Sequence, residues 1–305
     1  MRHNTEFLQN FMTKCQYPDE AKKLFTEVLD KLDNNKFFGK QFDKLVDKFS
    51  SHHSKIEPKV LNPLCVMGFF MGYKYYTMYF VYLLCLTEDL KKQYELFGID
   101  EEIYWNTMND LRYKLLECME CRGVPGTFVA SWFNEFFRFK RVAYGRFQYE
   151  VCHYDREEPF TMKSGHQVKK GDIFINFHIP SSGVPLTDEI RYASYKEAYE
   201  HVKNLFPDGN VIFGCSSWLL FPKHRDFLPE HLNILKFLND FEIVEWSESK
   251  DFHDCWRIFG RDAKLPPEKL PKDTSLKKAY AEWLCAGNKT GHGFGLFMFD
   301  GEKII

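Results

Sequence analysis

Side chains capable of acid–base or nucleophilic chemistry collect at the ends of two predicted strands. Residues 173–179 are almost wholly apolar, and residues 211–215 form the next such run, which is typical of strands covered on both faces. A helical pattern separates the two runs, which predicts a right-handed crossover between parallel strands. The carboxyl ends of both strands then face the same way, and ligands of open α/β sheets bind at that edge.

Three side chains are candidates for catalysis. His178 lies one residue before the first strand ends, and its imidazole suits a general base because it titrates near neutral pH. Glu150, on the polar face of an earlier predicted strand, is a second candidate base. Ser217 is a candidate nucleophile, provided that a base lies beside it. Ordinary explanations also exist: His178 as a core histidine bonded to a loop carbonyl, and Glu150 as a carboxylate facing solvent.

The residues that follow each strand are candidates for binding a cofactor. Ser181, Ser182 and Gly183 come after the first strand, and their backbone N–H groups can cradle a phosphate. Cys215 and Ser216 end the second strand. The chain contains no Walker loop and no G-x-G-x-x-G motif, so a phosphate site is predicted here from turn chemistry alone.

Asn176 and Trp218 complete the candidate site as residues of a substrate pocket. Asn176 shares a strand face with His178, and Trp218 directly follows the second strand. The alternative is that Trp218 is a lid over the sheet and that Cys215 packs as a small hydrophobic residue. No G-x-S-x-G elbow supports a nucleophilic serine.

Composition narrows the function classes. A net charge of −2 gives no electrostatic reason to expect nucleic acid or an anionic membrane as a partner. Nine cysteines without framework spacing predict reduced thiols and a cytoplasmic protein, and the first residues contain no apolar signal core. Cys118 and Cys121 form a C-x-x-C without a second pair, so no metal site is predicted. Residues 66–86 carry Lys74 among tyrosines and glycines, which favours a buried helix over a membrane span.

The periodicity of apolar residues predicts two domains. Residues 1–141 follow helical spacing and predict an all-helical bundle with residues 66–86 at its centre. From Tyr144 the period changes to two, so residues 142–305 form the second domain, an α/β domain with a mixed sheet flanked by helices. Within it, Ser194 and Glu197 predict a capping box at a helix start. Residues 256–260 predict a strand antiparallel to residues 241–246, and the proline-containing residues 261–273 predict an extended strap.

Three segments around the candidate site residues and at the end of the chain also resemble a known family. The segments NFHIPSSGVPL, GCSSWLLFPKHRDFLPEHLNILKF and GHGFGLFMFDG are similar to those of a bacterial family of acyltransferases. Its members have an all-helical N-acyltransferase N-terminal domain and a C-terminal domain similar to the GNAT fold. The resemblance covers most of the chain and is strongest between Phe147 and Phe241. It implies an acyl group carried on coenzyme A, as acetyl-CoA or a longer-chain acyl-CoA, and handed to an amine of a small molecule or peptide.

The resemblance also implies where coenzyme A lies. In GNAT enzymes two parallel strands splay apart, the pantetheine lies in the gap, and the pyrophosphate lies on the loop before the following helix. Here the splayed pair would be residues 173–179 and 211–215, and the loop residues 180–193. The usual Q/R-x-x-G-x-G/A signature does not occur in that loop, where Gly183 is the single glycine. This departure bears on coenzyme A binding and not on the fold.

Three functions are consistent with these residues. The leading one is acyl-CoA-dependent N-acyl transfer, with the thioester polarised by strand amides near Cys215 and the amine proton accepted by His178 or Glu150, directly or through water. The second is a thiol or serine hydrolase that uses Cys215 or Ser217 with His178. The third is a non-catalytic module on a degenerate GNAT fold that binds a ligand or partner.

Overall fold

The computed structural model describes residues 4–52 and 55–305. The chain divides into two compact units, Met1–Val142 and Ala143–Ile305. Each unit has its own cluster of buried apolar side chains.

The first unit is helical throughout its described residues. Its elements are α1 (Thr5–Lys14), α2 (Asp19–Asn34), α3 (Lys36–His52), α4 (Pro58–Met71), α5 (Tyr75–Leu96), α6 (Glu101–Arg122) and a 3-10 helix (Ala130–Asn134). Helix α5 is the most deeply buried, since Phe80, Val81, Tyr82, Leu83 and Leu84 in sequence are all inaccessible to solvent. An apolar surface around the whole helix is typical of a central position.

The prediction of one helix over residues 66–86 was wrong, because α4 ends at Met71 and α5 begins at Tyr75. Gly72 ends α4 with a φ of 81°, a left-handed conformation that glycine adopts without strain. Gly68 allows close packing at this break, since a Cβ there would lie 2.8 Å from Cγ of Met78. Among the described residues, every helix is too short or too polar to cross a membrane.

The second unit is built on a mixed sheet. Its first strand, β1 (Arg141–Tyr144), begins two residues before the boundary between the units. The other strands are β2 (Phe147–His153), β3 (Phe160–Thr161), β4 (Gln167–Val168), β5 (Ile173–His178), β6 (Val211–Ser217), β7 (Glu242–Ser249) and β8 (Thr290–Phe299). Six strands form one sheet in the order β1-β2-β5-β6-β8-β7, and β3 and β4 form a separate hairpin. Strands β5 and β6 are parallel, whereas β2 and β8 run antiparallel to them. The predicted fold class, a helical bundle followed by a GNAT-like mixed sheet, is confirmed.

Helices cover this sheet. They are α7 (Asp188–Val202), α8 (His224–Phe227), α9 (Asn233–Asn239), α10 (Cys255–Phe259) and α11 (Ser275–Cys285). Tyr195 of α7 packs its ring on Phe297 of β8 at a centroid distance of 4.9 Å, and on Phe213 of β6 at 5.9 Å. The aromatic side chains are therefore used as filling between α7 and the sheet.

Three local predictions in the second unit were wrong. Helix α7 begins at Asp188, so Ser194 lies inside it, and the Ser194 hydroxyl donates to the Tyr144 carbonyl at 2.6 Å instead of capping a helix. Residues 256–259 lie in α10 and Gly260 begins a 3-10 turn, in place of the predicted strand. A segment this short does not show by periodicity whether it is a helix or a strand. Residues 261–273 contain two 3-10 turns, Gly260–Lys264 and Pro267–Lys269, in place of a fully extended strap.

Candidate active site

The two parallel strands pair over only part of their length. The pairing consists of Ile175 opposite Phe213 and Asn176 opposite Gly214. β5 then continues through His178, and β6 continues through Ser217, without further pairing between them. The last three residues of β6 stay paired with β8 on their other side. An unpaired stretch between two adjacent parallel strands thus opens at the carboxyl edge of the sheet.

A polar cluster lies beside this stretch, because the register of β2 against β5 sets Glu150 opposite Asn176. His178 Nε2 is 2.7 Å from Glu150 Oε1, and Asn176 Nδ2 donates to the same oxygen at 3.1 Å. An ionised carboxylate only accepts hydrogen bonds, so in the neutral ring Nε2 carries the proton and Nδ1 carries the lone pair. Asn176 Nδ2 also lies 3.1 Å from Nε2, and the shorter contact with the carboxylate favours the tautomer in which Nδ1 is the basic nitrogen.

Gln148 leaves a buried acceptor next to this cluster. Gln148 lies opposite His178 in the register of β2 and β5, and only 1% of its surface is exposed. Its Oε1 has no hydrogen-bond partner among the described residues. Leaving a buried acceptor unsatisfied costs about 1–3 kcal/mol, and such groups are found where function requires them. The oxygen is therefore suited to accept a hydrogen bond from a donor group on a bound ligand.

The connection from β5 to α7 spans residues 179–187, and was expected to run to residue 193. Within it, the Ser182 amide donates to the Pro180 carbonyl at 2.9 Å, and the Val184 amide donates to Ser182 Oγ at 3.3 Å. Gly183 has a φ of 79°, in the left-handed region that favours glycine. Within the described part of the chain, no acceptor is found for the N–H groups of Ser181, Gly183, Leu186 and Thr187. Unpaired amides of this kind fit the oxygens of a phosphate.

The charges around this loop are mixed. Asp188 and Glu189 lie in the first turn of α7 and oppose an anion at its N-terminus. Asp188 is partly neutralised, since Oδ1 is 3.0 Å from Arg191 Nη1 and Oδ2 is 3.9 Å from Lys236 Nζ. An anion here would therefore be held by backbone N–H groups and not by a strongly positive surface.

The end of β6 contains Cys215, Ser216 and Ser217 in three different environments. Cys215 is 1% exposed, and burial raises the pKa of its thiol well above the usual range, so the thiol is protonated at neutral pH. Ser216 is exposed. Ser217 Oγ accepts from the Leu219 amide at 3.1 Å and so caps the 3-10 helix Trp218–Leu220. Cys215 and Ser217 therefore have structural roles, and neither side chain is activated as a nucleophile.

Trp218 belongs to a packed aromatic cluster. Its ring meets His224 and Tyr280 edge to face, at centroid distances of 6.0 and 5.9 Å. His224 is fully buried, its Nε2 is hydrogen-bonded to the Tyr280 hydroxyl, and burial lowers the pKa of its imidazole from 6.5 to about 4. His224 is therefore neutral at physiological pH, and the cluster around Trp218 is a tightly packed one.

The structure brings Glu150, Asn176 and His178 into contact. The sequence had identified the three residues but not their contact. Sequence analysis missed Gln148 and also Arg146, whose side chain bonds the loop after β5. A signal for Gln148 existed, because a polar residue two positions before Glu150 lies on the same strand face. The role of Arg146 had no sequence signal, since its partners are carbonyl groups. Among the described residues no group of three metal-ligating side chains is found.

The fold and this site define a class of protein. A mixed sheet in which two parallel central strands stop pairing short of their carboxyl ends, with a helix after the first of them, has the architecture of the GNAT-like acyltransferases. Residues 142–297 match the GNAT-like C-terminal domain, and residues 6–139 match the N-acyltransferase N-terminal domain. The chain belongs to the family in which these two domains follow one another, and the resemblance stated from sequence is confirmed.

Three solved structures with a similar fold are acyltransferases. A mutant acyltransferase, orf11*, in complex with octanoyl-CoA has a TM-score of 0.73 at 17% identity, covering 97% of this chain and 88% of that chain. An acyltransferase in complex with decanoyl-CoA and teicoplanin has a TM-score of 0.71 at 18% identity, with the same coverage. A third, in complex with CoA and 10C-teicoplanin, has a TM-score of 0.60 at 17% identity and covers 95% of this chain and 98% of that chain. Comparison with curated proteins finds no match.

Proposed function

We propose that the protein is an acyl-CoA-dependent N-acyltransferase that moves an acyl group to an amine of a small molecule or peptide. The observation that carries the proposal is the unpaired stretch between β5 and β6 beyond Asn176 and Gly214, with a histidine and a carboxylate at its edge. Unpaired strand amides at this point can bind the pantetheine amides and polarise a thioester carbonyl. Family membership and the acyl-CoA complexes of the similar structures support the same activity.

In this proposal His178 accepts the proton of the attacking amine through Nδ1. Glu150 holds the ring by Nε2 and stabilises the imidazolium that forms, and Asn176 orients the carboxylate. The amine nitrogen forms a bond to the acyl carbon, the thioester bond breaks, and the sulfur leaves as the thiolate of coenzyme A. Gln148 Oε1 is placed to accept a hydrogen bond from the acceptor.

Coenzyme A is assigned to residues of the second unit that fit it. The unpaired N–H groups of the loop 179–187, including those of Ser181 and Gly183, would hold the pyrophosphate oxygens. Cys215 and Ser216 would line the thioester end by their backbone, at the position where β5 no longer pairs with β6. We assign the all-helical N-terminal domain to residues 1–141 and the GNAT-like C-terminal domain to residues 142–305. Nine free cysteines support a reducing, cytoplasmic location.

The alternative hydrolase function is disfavoured by the same structure. A thiol nucleophile must ionise, and burial of Cys215 keeps its thiol protonated. The hydroxyl of Ser217 is used in a helix cap. The remaining alternative, a non-catalytic binding protein, makes a different prediction in the experiment that follows.

The test is a donor panel followed by release of free coenzyme A. Acetyl-, octanoyl- and decanoyl-CoA are first added in a thermal unfolding assay, where a bound donor at about 100 times its Kd contributes about 2.7 kcal/mol. Stabilising donors are then incubated with a library of amines, and thiol release is measured. Amine-dependent thiol release supports the proposal. Binding without release by any amine would identify a binding module, and binding of none of the donors would reject the proposal.

A further inference from the structure

Two arginines hold carbonyl oxygens of the loop 179–187. Arg146, in the turn between β1 and β2, donates from Nη1 to the Pro180 carbonyl at 2.9 Å and from Nε to the Val184 carbonyl at 3.0 Å. Arg191 of α7 donates from Nη1 to the Leu186 carbonyl at 2.7 Å. One planar guanidinium thus ties together two points of the loop that are four residues apart.

These bonds fix the direction of specific amides. The C=O and the following N–H of a trans peptide point in opposite directions, because the peptide unit is planar. Holding the Pro180 carbonyl therefore directs the Ser181 N–H to the other side of the loop, and holding the Leu186 carbonyl does the same for Thr187. Both N–H groups lack an acceptor among the described residues. The Ser181 N–H thus points away from Arg146, and the Thr187 N–H points away from Arg191.

We propose that Arg146 is the positioning residue that shapes this loop for the pyrophosphate of coenzyme A. Arg146 takes the place of the glycine-rich signature, which this chain lacks. In that signature glycines allow the backbone to turn tightly, whereas here the Arg146 guanidinium holds two loop carbonyls and so preorganises the amides. The inference rests on the proposed function. It assigns Arg146 to the loop carbonyls and not to the phosphate itself.

Arg146 is the arginine to test, since Arg191 also supports the fold. Arg191 is 2% exposed and binds Asp240 through two hydrogen bonds, of 2.7 and 3.0 Å, so its loss would leave a buried carboxylate unpaired. Arg146 is half-buried, and its hydrogen bonds to the Pro180 and Val184 carbonyls pair no buried carboxylate. Its guanidinium also lies 5.8 Å from the centroid of the Phe147 ring, so the thermal stability of its variants is measured alongside binding.

The experiment measures binding by the unmodified protein and its variants without any acceptor present. Isothermal titration calorimetry gives the Kd of coenzyme A, of 3′-dephospho-coenzyme A, which keeps the pyrophosphate, and of pantetheine, which lacks it. Arg146→Gln is compared with Arg146→Lys, whose single ammonium cannot fork between two carbonyls. Arg225→Gln is the matched control, because Arg225 bonds Asn239 and not a loop carbonyl. Thermal unfolding of each variant checks the fold.

For Arg146→Gln we expect the Kd of both pyrophosphate-containing ligands to rise by about tenfold, equivalent to about 1.4 kcal/mol, with the Kd of pantetheine unchanged. Arg146→Lys should show a smaller rise of the same pattern, and Arg225→Gln should show none. Equal weakening of all three ligands, or no weakening of any, overturns the inference.

Failure of the inference is separable from failure of the proposed function. If the unmodified protein binds coenzyme A more tightly than pantetheine and Arg146→Gln leaves that preference intact, the role of Arg146 is wrong while the proposed function stands. If the unmodified protein binds neither ligand, both are wrong. Loss of thermal stability in Arg146→Gln together with loss of pantetheine binding would show a purely structural arginine.

Discussion

At the scale of single residues, the proposed activity depends on the bond between Glu150 and His178. Neither residue type is rare on a protein surface, and sequence alone offered each of them an ordinary explanation. The 2.7 Å distance between Nε2 and Oε1 is what turns two candidates into one acid–base unit. Asn176, which shares the carboxylate oxygen, makes the arrangement specific to this pair of strands.

Replacement of Glu150 by glutamine tests that unit with little change in shape. The neutral amide no longer stabilises an imidazolium, so kcat for amine acylation should fall by about 100-fold or more. Steady-state kinetics with a donor identified in the binding panel measures the effect. Glu157→Gln is the control, because Glu157 is an exposed carboxylate paired with Lys170. An unchanged kcat in Glu150→Gln would remove the carboxylate from the mechanism.

Cys215 separates acyl transfer from thiol chemistry. In the transferase account its thiol is a buried filler, so Cys215→Ala should keep kcat within about threefold while lowering the unfolding free energy by about 1 kcal/mol, a typical effect of a core substitution. Activity and urea unfolding are measured on the same preparation. Abolished activity in a folded Cys215→Ala variant would instead favour the hydrolase.

At the scale of elements, the packing where β5 leaves β6 depends on Gly214. A Cβ at this position would lie 2.6 Å from the ring of Phe174 and 2.9 Å from Leu296. Because Gly214 is the last residue of β6 that pairs with β5, the ring of Phe174 lies directly over the end of that pairing.

Gly214→Ala should therefore destabilise the protein by about 1–3 kcal/mol through overpacking. The same substitution made in a Phe174→Leu background should cost less, because the smaller side chain leaves room for the methyl group. Urea unfolding of the two single variants and the double variant gives the coupling. Strict additivity of the two effects would show that Phe174 does not fill the space over Gly214.

The aromatic cluster of Trp218, His224 and Tyr280 predicts a pH dependence of stability. The imidazole of His224 has a pKa of about 4 in the folded chain and about 6.5 when unfolded. Between these values the unfolded chain binds a proton that the folded chain does not, so stability that is complete above pH 6.5 is lost as the pH falls to 4.

The loss amounts to about 3 kcal/mol at most, from 1.36 kcal/mol per pKa unit. It is measured as the difference in unfolding free energy between pH 7 and pH 4.5. In His224→Phe, which keeps an aromatic ring in the cluster, the pH-dependent loss should shrink by the contribution of this histidine. An identical pH profile in the variant would show that His224 does not titrate as described.

At the scale of the whole molecule, the sequence predicted what depends on local pattern. The apolar run of β5, the alternation in β2 and the helical spacing before Tyr144 each predict one element, and together they predict the fold class. The break at Gly72 has a local cause, the left-handed cap of α4, and was missed because the apolar pattern continues across it. The role of Ser194 depends on a contact with Tyr144, which is distant in the chain. The strand predicted over residues 256–260 is not formed, because five residues are too few for the spacing of apolar side chains to distinguish a helix from a strand.

The site was predictable as a set of residues but not as a geometry. His178 and Asn176 were predicted from their position near the end of a strand. The bond between His178 and Glu150, which are 28 residues apart in the chain, depends on the register of β2 against β5. Arg146 could not be found from sequence, because its partners are backbone carbonyls that any residue would offer.

The central claim is that an acyl-CoA thioester lies between β5 and β6 where their pairing ends. Hydrogen–deuterium exchange with and without a bound acyl-CoA tests it most directly, since it reports each stretch of backbone. The account predicts slower exchange in residues 177–187 and 214–217 when the ligand is bound, with the other strands little changed. Slower exchange confined to other segments, with these two unaffected, would contradict it.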